Sequence, residues 1–163
     1  MRFILIDEIL EVNPGKHIRA IKHVAPDEDY FRDHFPGFPV VPGVLLTEMM
    51  AQTAGKCLEM EDAARGRSML GRINSANFRT WVRPGELATI VAEIRTSRPR
   101  FAIANCYVEV NGQEVASADL LFTFVPATQF AQDFRDEVVE RYLAARTLQP
   151  GPNPASVFGT QPS

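Results

Sequence analysis

A histidine and a glutamate separated by a proline-rich loop are the residues of this chain best suited to catalysis. His34 lies in the segment Asp33-His34-Phe35-Pro36-Gly37-Phe38-Pro39, and Glu48 follows fourteen residues later in an apolar stretch. An imidazole titrates near neutral pH, and a carboxyl group in apolar surroundings keeps its proton more readily than one in water. The pair therefore predicts proton-transfer chemistry, with a base and an acid delivered by two different elements.

Prolines stiffen the loop that carries His34. Pro36, Pro39 and Pro42 each hold φ near about −65°, and the residue before each is pushed toward extended backbone. Pro42 also suits the first turn of a helix, where its missing N–H costs nothing. We predict a helix from about Gly43 to about Ala63, with Glu48 close to the unpaired N–H groups of its first turn.

The predicted helix is apolar around most of its circumference but carries one polar stripe. Glu48, Gln52, Lys56 and Glu59 are spaced to share a face. On the helix pattern alone, a solvated face is the simpler interpretation of this stripe. The neighbouring loop favours a second interpretation, in which His34, Glu48 and the N–H groups at the helix start face one small volume.

These residues also resemble the signature of a known family. His34-Phe35-Pro36-Gly37, Pro39-Val40, Pro42-Gly43-Val44-Leu45 and Glu48-x-Met50-Ala51-Gln52 are similar to the motifs of the β-hydroxyacyl-acyl-carrier-protein dehydratases of the FabZ type. The resemblance covers about residues 3–125. It implies a hotdog fold, an α+β architecture in which an antiparallel sheet wraps around a long central helix.

The resemblance implies a reaction and a set of site residues. The reaction is reversible dehydration of a 3-hydroxyacyl thioester on acyl carrier protein to the trans-2-enoyl thioester, with no metal and no organic cofactor. His34 would be the base, Glu48 the acid, and the N–H of Gly43 would polarise the thioester carbonyl. The expected substrate-binding residues are Phe35, Val44, Met49 and Gln52. Met49 stands where the family usually has alanine, which bears on the shape of the acyl site.

Two other hypotheses remain open from the sequence. Hotdog folds also host thioesterases, whose carboxylate would activate water, and a non-catalytic acyl-binding or scaffold subunit could use the same fold. The His-Phe-Pro-Gly loop disfavours a thioesterase, and the presence of both His34 and Glu48 disfavours an inert subunit.

The rest of the chain predicts an antiparallel sheet. Alternating patterns and turn signals indicate strands at about 68–81, 86–97, 100–110 and 114–125, and two shorter strands flank Asn13-Pro14-Gly15. Asn111-Gly112 predicts a tight hairpin turn of the primed type. One sheet around one helix leaves an edge strand that favours self-association. The resemblance implies a homodimer, or a trimer of dimers, in which His34 and Glu48 of each site come from different protomers.

The chain divides into a catalytic domain, residues 1–126, and a C-terminal extension, residues 127–163, that the resemblance does not cover. Apolar residues at helical spacing predict a helix at about 129–146, with a favourable Glu137–Arg141 pair. A packing helix is the simpler interpretation, and a partner-binding helix is the alternative. The remainder from Gln149 is rich in Pro, Gly and Ser and is expected to be mobile.

Charge and cysteine content bear on partners and location. Residues 65–100 hold eight arginines against two glutamates, a local excess of +6, although the chain has a net charge of −3. One hypothesis is a docking surface for an acidic carrier, with Arg98 and Arg100 as candidates, and the other is a solvated strand face. Few aromatic residues accompany the arginines, so nucleic acid is not an expected partner.

Isolated Cys57 and Cys106, and the lack of any apolar run of about 20 residues, predict a cytoplasmic protein without a membrane span.

Overall fold

A six-stranded antiparallel sheet wraps around one long helix in the computed structural model, which describes residues 2–147. The strands are β1 (Glu8–Asn13), β2 (His17–His23), β3 (Arg67–Phe78), β4 (Leu87–Ser97), β5 (Phe101–Val110) and β6 (Gln113–Val125). The helices are α1 (Gly43–Glu61) and α2 (Glu137–Thr147). The strand order is β1-β2-β4-β5-β6-β3, and each neighbouring pair is antiparallel. The predicted α+β architecture is confirmed.

The core lies between α1 and the sheet, and α1 packs against β2, β3, β4, β5 and β6. On the helix side Met49, Met50 and Leu58 are fully buried. In β5 every second residue from Ala102 to Val110 is buried, which is the alternation expected of a strand with one face on the core. Each large apolar side chain buried in this way contributes about 1.5–3 kcal/mol. Burial of this face therefore fixes which side of α1 points away from the sheet.

The hairpin between β5 and β6 turns as the sequence predicts. Asn111 has φ of 52° and Gly112 has φ of 76°, which are the two positive values that a type I′ turn requires. The predicted strand bounds agree with β3–β6 to within a few residues. Local turn chemistry was therefore sufficient to predict the β5–β6 hairpin.

β3 forms one edge of the sheet, where it pairs with β6. Several of its apolar side chains face solvent in a single chain, with exposed fractions of 45% for Met69, 49% for Ile73 and 46% for Phe78. An apolar edge strand with unpaired N–H and C=O groups is a surface for association with another chain.

The C-terminal helix begins later than the sequence predicts. The spacing of apolar residues indicates a start at about Gln129, but α2 begins at Glu137. The carboxylate of Asp136 accepts hydrogen bonds from the N–H groups of Val138 (3.1 Å) and Val139 (3.2 Å), so Asp136 caps the helix and sets its start. The tail from Gln149, which the composition predicts to be mobile, lies outside the described residues.

α2 packs against β1, the edge of the sheet opposite β3. Val138 is buried, and the Arg141 guanidinium donates to the backbone carbonyl of Asp7 at 3.0 Å. The predicted pair between Glu137 and Arg141 forms at 3.4 Å. The extension therefore packs on β1 and is hydrogen-bonded to Asp7, the residue before that strand.

Candidate active site

His34 is held in one orientation by the loop around it. Its backbone N–H donates to the carbonyl of Tyr30 (2.9 Å), and its own carbonyl accepts from the N–H of Val40 (3.0 Å). The ring atom Nδ1 lies 2.9 Å from the carbonyl oxygen of Val40. A carbonyl oxygen only accepts, so Nδ1 carries the proton and Nε2 of the neutral ring keeps a free lone pair. His34 therefore presents Nε2 as a base.

The start of α1 provides free backbone donors beside this loop. The carbonyl of Pro42 accepts from the N–H groups of Leu45 and Leu46. Within residues 2–147, no backbone carbonyl accepts from the N–H groups of Gly43 and Val44. The ring of Phe78 packs against Gly43 so closely that a β-carbon there would lie 3.1 Å from it. The N–H of Gly43 is thus a donor at the positive end of the helix dipole, next to an apolar ring.

Glu48 is oriented by the side chain one turn further along α1. Its Oε1 accepts a hydrogen bond of 3.1 Å from Nε2 of Gln52. Gln52 is itself tied to the N-terminal segment, because its Nε2 also donates to the carbonyl of Phe3 (3.3 Å) and its Oε1 accepts from the N–H of Leu5 (3.0 Å). Gln52 therefore links the half-buried carboxyl of Glu48 to the N-terminal segment.

The polar stripe of α1 lines a cavity of about 390 Å³. This volume lies within the range of about 300–1,000 Å³ that is typical of small-molecule sites. The helix contributes Glu48, Ala51, Gln52, Gly55, Lys56 and Glu59, and the facing wall comes from residues 67–70 of β3, Phe122 and the extension. The stripe therefore lines a cavity, but neither His34 nor Gly43 of the same chain borders it, so one chain does not form the single volume that the second interpretation expected.

A single chain presents two half-sites. The residues that line the Glu48 cavity do not include His34. Beside His34 and Gly43, the predicted substrate-binding residues Phe35 and Val44 are exposed, by 53% and 74%. Met49, which is also predicted to bind substrate, is fully buried in the core between α1 and the sheet. His34 and the Gly43 N–H thus belong to one half-site, and Glu48 with Gln52 belongs to the other.

The two candidate docking arginines lie on the exposed turn between β4 and β5. The carbonyl of Arg98 accepts from Arg65, which follows the C-terminal end of α1, and both Arg98 and Arg100 are exposed. α1 has 19 residues and is therefore about 28 Å long. Arg98 and Arg100 consequently lie at the opposite end of α1 from Gly43 of the same chain.

Other arginines of the basic segment are already engaged. Arg65, Arg67 and Arg79 pair with Glu61 (2.5 Å), Glu59 (2.7 Å) and Glu114 (2.6 Å) respectively. Arg83 lies over the ring of Phe38 in the His34 loop, 4.9 Å from its centroid. Part of the positive charge therefore stabilises the fold, and Arg83 marks a basic position next to the half-site of His34.

The extension reaches the Glu48 cavity, which the sequence analysis does not predict. Phe130, Phe134 and Asp136 all line it. Lys56 donates to Asp136 at 2.5 Å, and the guanidinium of Arg67 lies 4.1 Å from the centroid of the Phe134 ring. One available signal was Asp136 itself, since aspartate before an apolar run is a helix N-cap signal and would have left residues 130–135 outside the helix.

Comparison with known proteins identifies the family of the chain. The model of the FabA-like domain family matches residues 1–119. The chain is 33% identical over 126 residues to the 3-hydroxyacyl-[acyl-carrier-protein] dehydratase FabZ of Ruminiclostridium cellulolyticum, covering 77% of this chain and 89% of that protein. It is 36% identical over 121 residues to the FabZ of Listeria welshimeri, covering 74% and 84%.

A solved structure supports the fold independently. The dehydratase heterocomplex ApeI:P from Xenorhabdus doucetiae contains a chain that superposes with a TM-score of 0.63 at 17% identity, covering 77% of this chain and 86% of that one. The sheet, the central helix and this likeness define a hotdog-fold protein, as predicted. The chain belongs to the FabA-like domain family, and within it to the FabZ dehydratases.

Proposed function

We infer that this chain is a 3-hydroxyacyl-[acyl-carrier-protein] dehydratase of fatty-acid biosynthesis. Its family and the names of its relatives support this activity. The observation that carries the chemistry is the Nδ1 hydrogen bond of His34, which leaves Nε2 free to accept a proton. The thioesterase and inert-subunit hypotheses are not favoured, because the curated relatives are dehydratases and both His34 and Glu48 are present.

We propose the following roles in the reaction. Nε2 of His34 takes a proton from the carbon next to the thioester carbonyl, and the electron pair of that C–H bond forms the carbon–carbon double bond. The carbon–oxygen bond at position 3 breaks as the carboxyl of Glu48 gives its proton to the hydroxyl, which leaves as water. The N–H of Gly43 donates to the carbonyl oxygen as negative charge develops there. Hydration runs through the same groups in reverse.

We propose that the two half-sites meet in a homodimer. The free, apolar edge of β3 supports this assembly, because antiparallel pairing of two β3 strands would bring the Glu48 half-site of one protomer to the His34 half-site of the other. Ile73→Asp should then give a monomer with little activity, measured by analytical ultracentrifugation and turnover. A mass of three dimers for the native protein would indicate the trimer of dimers.

We propose that acyl carrier protein docks through exposed arginines, with Arg98 and Arg100 as candidates. If so, turnover of carrier-linked substrate should fall as salt rises, because exposed charges are screened over about 8–10 Å at ordinary ionic strength. Charge reversal at Arg98 or Arg100 should weaken that reaction and spare a small thioester mimic. Arg83→Glu tests an alternative docking position. If only this variant weakens turnover of carrier-linked substrate, docking lies at the His34 loop.

We also propose a cytoplasmic location. Cys57 and Cys106 are both free and buried, which suits a reducing compartment. Among the described residues, no helix has the length and apolar character that crossing a membrane requires. Fractionation of cells that express the protein, with blotting of each fraction, tests the location.

Enoyl formation and free-thiol release distinguish the candidate activities. With a 3-hydroxyacyl carrier substrate we expect enoyl product and no free thiol. His34→Ala and Glu48→Gln should each lower turnover by about 100-fold or more, since positioned acids and bases contribute about 10²–10⁴-fold. His23→Ala and Glu8→Gln, both at exposed positions, are the matched controls. Thiol release without enoyl formation would instead indicate a thioesterase.

A further inference from the structure

The segment between β6 and α2 contributes one wall of the Glu48 cavity. Phe130, Phe134 and Asp136 form this wall. The family model stops at residue 119, so these residues lie beyond the part of the chain that it matches. The part of the chain that the family model matches therefore does not include this wall.

Polar contacts hold this wall against α1 and β3. Lys56 and Asp136 pair at 2.5 Å, with side chains only 10% and 22% exposed. Arg67 donates to the carbonyl of Phe134 at 3.4 Å and pairs with Glu59 at 2.7 Å. Asp136 also caps α2, so the position of Phe134 is coupled to that helix. An ion pair with so little solvent access resists screening and keeps the segment in place.

Phe134 borders two cavities, together with Glu59, Arg67 and Asp136. One is the Glu48 cavity, of about 390 Å³, and the other has a volume of about 330 Å³. The second cavity is bordered by Met60, Ala63 and Val139. The side chain of Phe134 remains 52% exposed. The Arg67 guanidinium covers part of the ring, and the exposed remainder is an apolar surface that an apolar ligand would cover.

The length available to a ligand follows from the helix. From Glu48 to Gly55 the helix rises about 10 Å over seven residues. An extended chain advances about 1.2 Å per bond, since a residue of three bonds spans about 3.3–3.6 Å. The small side chains of Ala51 and Gly55 leave space along the helix surface between these points. A β-carbon at Gly55 would lie 2.7 Å from Oγ of Ser68. About eight carbon–carbon bonds therefore fit between Glu48 and Gly55, the residue before Lys56, which pairs with Asp136 at the start of the wall.

We propose that Phe134 is the end wall of the acyl-chain site and sets the longest acyl chain that the enzyme accepts. The ion pair between Lys56 and Asp136 holds its segment in place. The inference rests on the proposed dehydratase function, because Glu48 fixes where the reacting end of the chain lies. Acyl chains with about eight carbons beyond the reacting carbons reach the wall. Longer chains are excluded unless Phe134 moves.

The test measures kcat/KM for a series of 3-hydroxyacyl carrier substrates that differ by two carbons. In Phe134→Ala the cavity loses its aromatic wall, and the ratio of long-chain to short-chain kcat/KM should rise, by about fourfold for each further methylene that becomes buried. In Phe134→Trp the ratio should fall, with the cut-off at a shorter chain. Leu143→Ala, at an exposed position of α2, is the matched control within the extension and should leave the ratio unchanged.

The outcomes separate the inference from the proposed function. Turnover of short substrates together with an unchanged chain-length ratio in both Phe134 variants would overturn the end-wall inference and leave the dehydratase intact. Failure of the native protein to dehydrate any member of the series would overturn both. A ratio that moves in opposite directions in Phe134→Ala and Phe134→Trp supports the inference even if one of the two variants folds poorly.

Discussion

Replacement of Gln52 by alanine should impair both stability and catalysis. The side chain makes three hydrogen bonds, to Glu48, to the carbonyl of Phe3 and from the N–H of Leu5. Each contributes a net of about 0.5–1.5 kcal/mol, so their loss should cost about 1.5–4.5 kcal/mol. At about 2–4 °C per kcal/mol for a chain of this size, a loss of about 3 kcal/mol lowers the melting temperature by about 6–12 °C.

The catalytic effect of the same change follows from the freed carboxyl of Glu48. Without the 3.1 Å hydrogen bond from Gln52, the proposed acid is no longer fixed toward the leaving hydroxyl. One such contact corresponds to about tenfold in rate. We therefore expect kcat for dehydration to fall about tenfold, with a smaller change in KM, since Gln52 acts through Glu48.

Differential scanning calorimetry and steady-state assays of enoyl formation measure the two effects. Gln113→Ala, at an exposed position of β6, is the matched control and should stay within about 0.5 kcal/mol of the native protein. A Gln52→Ala variant with native melting temperature and native kcat would refute the view that this side chain links the N-terminal segment to Glu48.

Two further changes test the extension and the core. Asp136→Ala should destabilise the protein by about 1–3 kcal/mol, because α2 loses its cap and Lys56 loses its partner. Urea unfolding measures this loss. Asp136→Asn retains a capping side chain and should recover part of the lost stability. Burial raises the pKa of the thiols of Cys57 and Cys106. The pKa of each thiol in the folded state lies above its unfolded value of about 8.5. The stability that the thiols contribute is therefore complete below about pH 8.5 and is lost as the pH rises. The loss is at most about 1.4 kcal/mol per pH unit for each thiol. Urea midpoints should therefore fall between pH 8 and 10, less so in Cys106→Ala, and an equal fall in that variant would assign the effect to other groups.

Short-range sequence signals predicted most of the fold. The Pro42-Gly43 pair located the start of α1, and Asn111-Gly112 located the β5–β6 turn, because both depend on backbone geometry that few residues allow. The half-sites followed from residue types and from the family resemblance.

The path of the extension could not be predicted in the same way. Phe130 and Phe134 fit a helical stripe with Val138, but tertiary contacts decide their position: Arg67 holds Phe134, and Lys56 holds Asp136. These partners lie about 70–80 residues away in the chain, so local spacing carries no trace of them. The same reason explains why the polar stripe of α1 could be assigned to a cavity only from the structure.

Complementation between two inactive variants tests most directly the claim that His34 and Glu48 of different protomers form one site. His34→Ala and Glu48→Gln proteins are mixed under conditions of proven subunit exchange, and dehydration is followed by enoyl formation. Random exchange makes about half of the dimers mixed, each with one intact site, so activity should recover to about a quarter of the native value. No recovery despite exchange would contradict the shared site and place both residues in the active site of a single chain.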